Sequence, residues 1–263
     1  MTAPASPLPD PADTTRRFQG VGRAYGEPAL ARFRASHVCV IGLGGVGSWA
    51  VEALARSAVG RLTLIDLDHV CESNVNRQLH AVEPDFGRAK AQALAARIAA
   101  INPACRVRAV EEFVTPDNVA ELLAGPFDWV IDCIDSARAK AAVIAHCRYR
   151  RQKLVTVGGA GGRTDPGQVR TADLSRAIHD PLLGKTRRLL RERHGFPRRP
   201  GKRLEVACVY SLEQARPPAG VCAPGGLNCA GGLGSAVVVT AAFGLAAAGH
   251  VLNKLAAGIP ARP

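Results

Sequence analysis

No two cysteines in this chain are spaced Cys-x-x-Cys, although it contains eight. That absence removes the paired-thiolate signature of a structural zinc site. Acidic residues are also in short supply, with 22 Asp and Glu against 34 Lys and Arg and a net charge of +12. Such an imbalance points to a polyanionic partner, nucleic acid first and an anionic membrane second. Residues 1–13 are rich in Pro and Ala, with neither a basic start nor a long apolar run. No signal-peptide pattern is present there, and a cytoplasmic location is expected. No internal repeat interrupts the chain.

The 263 residues are 47% hydrophobic and 21% charged, ordinary proportions for a soluble protein able to bury a real core. Cys39 and Cys133 fall in predicted buried strands, so the cysteines read as reduced thiols rather than as a disulfide framework. The chain is organised around one stretch. Four apolar residues, Val38-Cys39-Val40-Ile41, run directly into Gly42-Leu43-Gly44-Gly45-Val46-Gly47, and helix-forming residues follow. A short apolar run of this kind is a buried parallel strand. Glycines let the backbone approach a ligand closely, and the next helix directs its N–H groups at an anion. The loop alone does not choose between NAD, FAD and ATP.

Residues 1–15 read as a disordered lead-in, followed by a short helical or looped segment over 16–34. Strands are predicted over 38–41, 62–65, 106–110, 128–131 and 154–157. Helices are predicted over 46–57 and 87–101, from Thr115-Pro116-Asp117 onward, and from Ser136 to about 150. This alternation defines an α/β fold, a doubly wound Rossmann-like, mostly parallel sheet. Residues 16–162 read as a nucleotide-binding unit and 163–263 as a C-terminal extension of the same fold. In the extension a strand is expected over 168–172, a helix opening at Asp180-Pro181, and a strand over 205–210. An apolar helix over 235–252 reads as a core or subunit-interface helix rather than a membrane contact.

A dinucleotide dehydrogenase needs the glycine loop and one acid after the second strand, which Asp66 would supply. It does not need Asp68, Asn74, Arg77, Lys90 and the Asp132-x-x-Asp135 pair that follow. Arg77 and Lys90 are cations placed to face a triphosphate, and Asp135 is a hard oxygen ligand suited to Mg²⁺. Each has a plainer reading, the cations as surface charges and Asp135 as a helix cap. Phosphoryl or nucleotidyl transfer runs on positioning and charge neutralisation, so this set suffices for it.

Taken together, Gly-x-Gly-Gly-x-Gly, Asp66-x-Asp68, Ser73-Asn74-x-x-Arg77-Gln78, Gly87-x-x-Lys90 and Asp132-Cys133-x-Asp135 resemble the adenylating superfamily of ubiquitin-activating enzymes and its bacterial relatives ThiF and MoeB. Later segments resemble its tRNA threonylcarbamoyladenosine dehydratase branch. They are residues 157–162, Ile178-His179-Asp180-Pro181-Leu182-Leu183, His194-Gly195-Phe196-Pro197, Cys208-Val209-Tyr210-Ser211 and Leu227-Asn228-Cys229-Ala230-Gly231. The resemblance implies that Gly42, Gly44, Gly45, Gly47, Asp66, Asp68 and Asn74 hold ATP. It implies that Arg77 and Lys90 bind the phosphates and Asp135 holds Mg²⁺. It also implies a homodimer in which an N-terminal arginine reaches the partner's site. Gly20 stands where MoeB has its second arginine, leaving Arg17 and Arg23 as candidates.

The activity implied is ATP-dependent dehydration of threonylcarbamoyladenosine in tRNA. Adenylation of a ubiquitin-like sulfur carrier is the alternative, against which the basic charge and the missing Cys-x-x-Cys argue. A degenerate-site scaffold for sulfur-transfer proteins, such as a cysteine desulfurase and its acceptors, and an NAD oxidoreductase rank lower. Ring closure within one nucleotide needs no enzyme nucleophile, so Cys229 and Cys208 stand only as candidate thiols. A tRNA substrate accounts for the excess charge. In the helix after Asp180, Leu182, Leu183, Leu189 and Leu190 form one face, and Lys185, Arg187, Arg188 and Arg191 the other. With Arg198, Arg199, Lys202 and Arg203 in the next loop, these cations form the expected tRNA-binding surface.

Overall fold

The computed structural model describes residues 11–199, 201–216 and 233–258. Seven strands form one sheet in the order β3-β2-β1-β4-β5-β7-β6. They are β1 (His37–Ile41), β2 (Arg61–Ile65), β3 (Arg106–Val110), β4 (Trp129–Asp132), β5 (Leu154–Val157), β6 (Val169–Asp173) and β7 (Ala207–Ser211). Every pairing is parallel except β6 with β7 at the edge. The order reverses between β2-β1 and β1-β4, and open sheets of this type bind ligands outside the carboxyl ends of strands at that switch point.

Burial on both faces explains why the central strands read as unbroken apolar runs. Val38 and Val40 join one hydrophobic cluster with Leu62, Leu64, Leu54 and Phe243, while Cys39 and Ile41 join another with Val130, Val143 and Phe127. A period of two thus splits one strand between two cores. The first face carries α3 (Gly47–Arg56), α4 (Lys90–Ile101) and α8 (Val237–Ala257), with α1 (Pro11–Tyr25) and α2 (Glu27–Ala35) beyond them. On the other lie α5 (Val119–Leu122), α6 (Ala137–Tyr149) and α7 (Pro181–Arg193).

Several boundaries differ from expectation for identifiable reasons. α1 begins at Pro11, inside the segment expected to be disordered, and Phe18 packs into a small cluster with Leu30 and Ala58. Residues 1–10 lie outside the described residues. The helix expected from 87 starts at Lys90, because Gly87 takes a positive φ of 81° and its N–H bonds back to the Val70 carbonyl. The helix expected from Thr115 starts only at Val119, with Asn118 at its N-cap position, and is four residues long; Thr115 instead accepts from the backbone N–H groups of Asp117 and Asn118 in the turn before it.

α8 is 21 residues long and apolar enough by composition to cross a membrane, but Val239, Phe243, Ala247, Val251 and Leu255 are buried in the main core. It lies directly against α3. A Cβ at Gly244 would collide with the Val46 carbonyl and the Ala50 N–H, so only glycine lets the two backbones approach this closely. All six described cysteines (39, 71, 105, 133, 147 and 208) are free thiols.

His80 is 2% exposed, and neither ring nitrogen has a partner among the described residues. Burial and the nearby Lys90 and Arg97 charges push its pKa down to about 4, against the opposing pull of Asp85. An unfolded chain takes up this proton near pH 6.5 whereas the folded one does so only near 4, so stability falls as pH drops through that interval. The linkage amounts to about 1.4 kcal/mol lost by pH 5.5. His80→Leu is expected to lose that much less stability between pH 7.5 and 5.5 in urea titrations. Parallel losses in both proteins would contradict this assignment.

Candidate active site

An open cavity of about 1130 Å³ lies at the carboxyl ends of the strands. The turns after β1, β2, β4 and β5 all contribute to its wall, which brings together residues far apart in sequence. Gly42, Gly44, Gly45, Asp66, Asp68, Asn74, Arg77, Lys90 and Asp135 all line it. Gly47 does not. A Cβ there would strike the carbonyl oxygen of Gly42, so this glycine closes the turn into α3 rather than meeting a ligand. That corrects its expected place among the nucleotide-contacting residues.

Asp66 is 8% exposed and fixed by two backbone donors. Its Oδ2 accepts from Leu43 N at 2.6 Å and its Oδ1 from Asp68 N at 2.8 Å. Burial raises its pKa above the ordinary carboxylate value, although both N–H groups and Lys90 favour the charged form. Lys90, the first residue of α4, is itself buried and donates from Nζ to Asp68 Oδ2 at 2.7 Å. Asp68 therefore holds Lys90 in place. Arg77 donates from Nη1 to the Ser73 carbonyl and to Asn76 Oδ1, and its own carbonyl accepts from Trp49 Nε1 at 3.0 Å. Asn74 accepts from Cys71 N through Oδ1, which braces the loop before Arg77.

Asp135 is exposed at the mouth of the cavity, and the plainer reading of it as a helix cap is overturned. Ser136 caps α6, its side chain accepting from Ala139 N. Behind this turn lies a pair that the sequence pattern does not reveal. Lys140 and Asp132 are both fully buried, with Nζ 2.9 Å from Oδ2. Thr156 Oγ1 donates to the same carboxylate oxygen at 2.7 Å, and Asp132 Oδ1 accepts from Ile134 N at 3.0 Å. The turn presenting Asp135 is thus built on a buried charge pair.

The far wall comes from the C-terminal extension. Arg163 is 3% exposed and donates to the carbonyls of Gly159, Gly161, His179 and Glu213, tying the glycine cluster after β5 to the segment before α7. Asp180 caps α7 through Leu183 N and also accepts from Gly159 N. His179, at a positive φ of 54°, lines the cavity beside it. Gln78 lines the opposite wall, and its Oε1 is a buried acceptor with no partner among the described residues. None of Gln78, Arg163, His179 or Lys140 was singled out from sequence as a site residue. For Gln78 the available signal was its place directly after Arg77.

Other expected site residues lie elsewhere. Arg17 donates to the carbonyls of Ala100 and Ile101, closing the C-terminus of α4 within its own chain. Neither Arg17 nor the exposed Arg23 lines this chain's cavity. Cys208 is completely buried in β7, and burial pushes its thiol up to about 12. It is a core side chain, which removes it as a candidate thiol; Cys229 lies outside the described residues. Cys133 follows β4 rather than lying within it, and burial holds its thiol near 12.

On α7, Arg187 is half-buried and donates to the carbonyls of Leu174 and Ala177 at 3.2 and 2.7 Å. Arg191 donates to the Pro197 carbonyl. Both anchor the local fold, which corrects their placement on the free basic face. Lys185, Arg188, Arg198, Arg199, Lys202 and Arg203 are exposed, with Arg188 loosely paired to Glu192 and Arg203 to Asp173.

A doubly wound sheet with a glycine loop, an acid after β2, two cations and a further acid around one cavity defines a nucleotide-binding α/β protein. The chain belongs to the ThiF family, which matches over residues 18–259. It is 49% identical over 252 residues to the tRNA threonylcarbamoyladenosine dehydratase of Escherichia coli K12, covering 92% of this chain and 94% of that one. The Haemophilus influenzae protein of the same name is 44% identical over 243 residues, covering 91% and 93%. The crystal structure of the E. coli dehydratase in complex with ATP superimposes with a TM-score of 0.87 at 47% identity, covering 95% of this chain and 97% of that one.

Proposed function

We propose that this protein is an ATP-dependent tRNA threonylcarbamoyladenosine dehydratase. The observation that carries the reading is the single cavity in which Asp66, Arg77, Lys90 and Asp135 meet beside a second wall built by Gly159, Arg163 and His179. The similarity to dehydratases along nearly their whole length supports the substrate. Asp66, with its oxygens fixed by two N–H groups, accepts from the ribose. Arg77 and Lys90 face the phosphates, and the Gly42–Gly45 turn gives the backbone access to them. Asp135 is one carboxylate at the mouth; with phosphate oxygens and water it makes a fitting Mg²⁺ site, since magnesium commonly takes one or two carboxylates from the protein. There the ion would neutralise phosphate charge.

The threonine carboxylate attacks the α-phosphorus and pyrophosphate leaves, giving an acyl-adenylate. The carbamoyl group of the same nucleotide then displaces AMP to close a five-membered ring, with a net loss of water. Because that closure is intramolecular, positioning supplies much of the acceleration. No step transfers sulfur. Phe113, 54% exposed on the rim, offers a ring on which an unpaired base can stack. The protein works in the cytoplasm on tRNA as a homodimer, with the exposed apolar residues Val238 and Leu245 of α8 in the covered face. Arg23 is the better placed of the two N-terminal arginines to reach a partner's site.

Incubation with ATP, Mg²⁺ and tRNA bearing threonylcarbamoyladenosine is expected to lower the nucleoside mass by one water and release pyrophosphate. No mass change with an authenticated substrate would overturn the reading. Pyrophosphate exchange triggered by a ubiquitin-like carrier and not by tRNA would transfer the site to carrier activation.

A further inference from the structure

A second cavity, of about 800 Å³, opens at the other end of the sheet, among the amino ends of β4, β5 and β7. Arg148, Arg151, Lys153, Arg203 and Lys254 line it, against only Asp173 and Glu205 among the acids. Asp173 is already occupied by the backbone N–H groups of Ser175 and Leu204. The indole N–H of Trp129, in the same wall, is buried without a hydrogen-bond partner among the described residues, its ring edge-on to His250 with centroids 5.6 Å apart.

Two further observations connect this cavity to RNA. Arg151 has φ 54° just past the C-terminus of α6, a left-handed position that costs every residue except glycine. An arginine is held at that cost where its charge faces the cavity. Arg148 stacks over the Phe196 ring 4.3 Å from its centroid, which joins the cavity to the basic segment 197–203. α7 links the two ends of the sheet. Pro181 and Leu182 at its start line the candidate active site, and residues 204–206 beyond its end line the second cavity. Thirteen helical residues span about 20 Å.

We propose that the second cavity receives the phosphodiester backbone of the bound tRNA, and that it forms with the exposed cations Lys185, Arg188, Arg199 and Lys202 one continuous track from the active-site mouth to the opposite end of the sheet. This inference rests on the tRNA-modifying reading and extends it. The target nucleotide sits at the carboxyl ends of the strands, while a more distant part of the same tRNA is held at their amino ends. Phosphate contacts of this kind position a substrate without reading its sequence.

The test measures binding of full-length tRNA and of an isolated anticodon stem–loop, without ATP, over a range of salt. Lys153→Glu/Lys254→Glu is expected to weaken full-length tRNA binding about tenfold and to lower the slope of log affinity against log salt by about 2. Stem–loop and ATP affinities should stay within twofold of wild type. Arg151→Gly relieves the left-handed backbone, so it should melt no lower than wild type and still bind tRNA less tightly. That split separates charge from structure. Wild-type tRNA affinity and salt slope in both variants would overturn the proposal, even if the cavity captured inorganic phosphate. The enzymatic reading is judged separately, by the mass of the nucleoside produced by the wild-type protein.

Discussion

Replacing Lys140 with methionine is expected to destabilise the protein by about 3–5 kcal/mol, read as a lower midpoint in urea with an unchanged slope. The size follows from what remains behind. Asp132 is fully buried, and without Lys140 its charge would keep only Thr156 and the Ile134 N–H as partners. A buried carboxylate stripped of its counter-charge is far more costly than the pair was beneficial. Asp132→Asn added to Lys140→Met should therefore recover much of the loss, since no charge is then left buried. A fall below 1 kcal/mol in the single variant would show that water reaches the site, and that the pair is not the foundation of the Asp135 turn.

Lys90→Ala is expected to lower turnover by about 10²–10³, the usual cost of removing one fixed donor from a site where charge develops. On the proposed role of Lys90 the loss should appear in kcat under saturating ATP, because a fixed cation facing the phosphates would act most strongly as the α-phosphate changes bonding. Stability is to be measured alongside, since Asp66, 8% exposed, also loses the nearby Lys90 charge. The Asp68 side chain is 52% exposed and stays hydrated when its partner goes, so the ion pair contributes under about 1 kcal/mol. A reduction of less than fivefold, with the variant fully folded, would reduce Lys90 to a structural partner of Asp68.

Much of the nucleotide side was legible because each of its elements carries a local signal. Apolar runs mark β1, β2, β4 and β5, and the residues after each strand reach the same end of a parallel sheet whatever the details of packing. The bounds of β3 and β5 agree with those expected from sequence. The C-terminal wall was much less legible. Arg163 gains its role by joining two local carbonyls to those of His179 and Glu213, far along the chain, and Arg187 from two carbonyls in the turn after β6; no spacing rule marks such acceptors. Lys140 and Asp132 are eight residues apart across a strand-to-helix turn, outside the periodicity of either element. Amphipathic patterning placed Arg187 and Arg191 on a charged face, but it cannot tell a solvated guanidinium from one that laces a loop.

The close seating of Gly244 on the first turn of α3 has a further consequence. The last described helix presses against the backbone of the glycine turn after β1, and α2 packs against that helix. Helices from both halves of the sequence thus share the first face. A fragment cut at residue 162 would keep Asp66, Arg77, Lys90 and Asp135 yet lose the helix that backs its glycine turn. The glycine turn and the last described helix accordingly form one packing unit, and any side chain added at Gly244 would be felt at the start of α3.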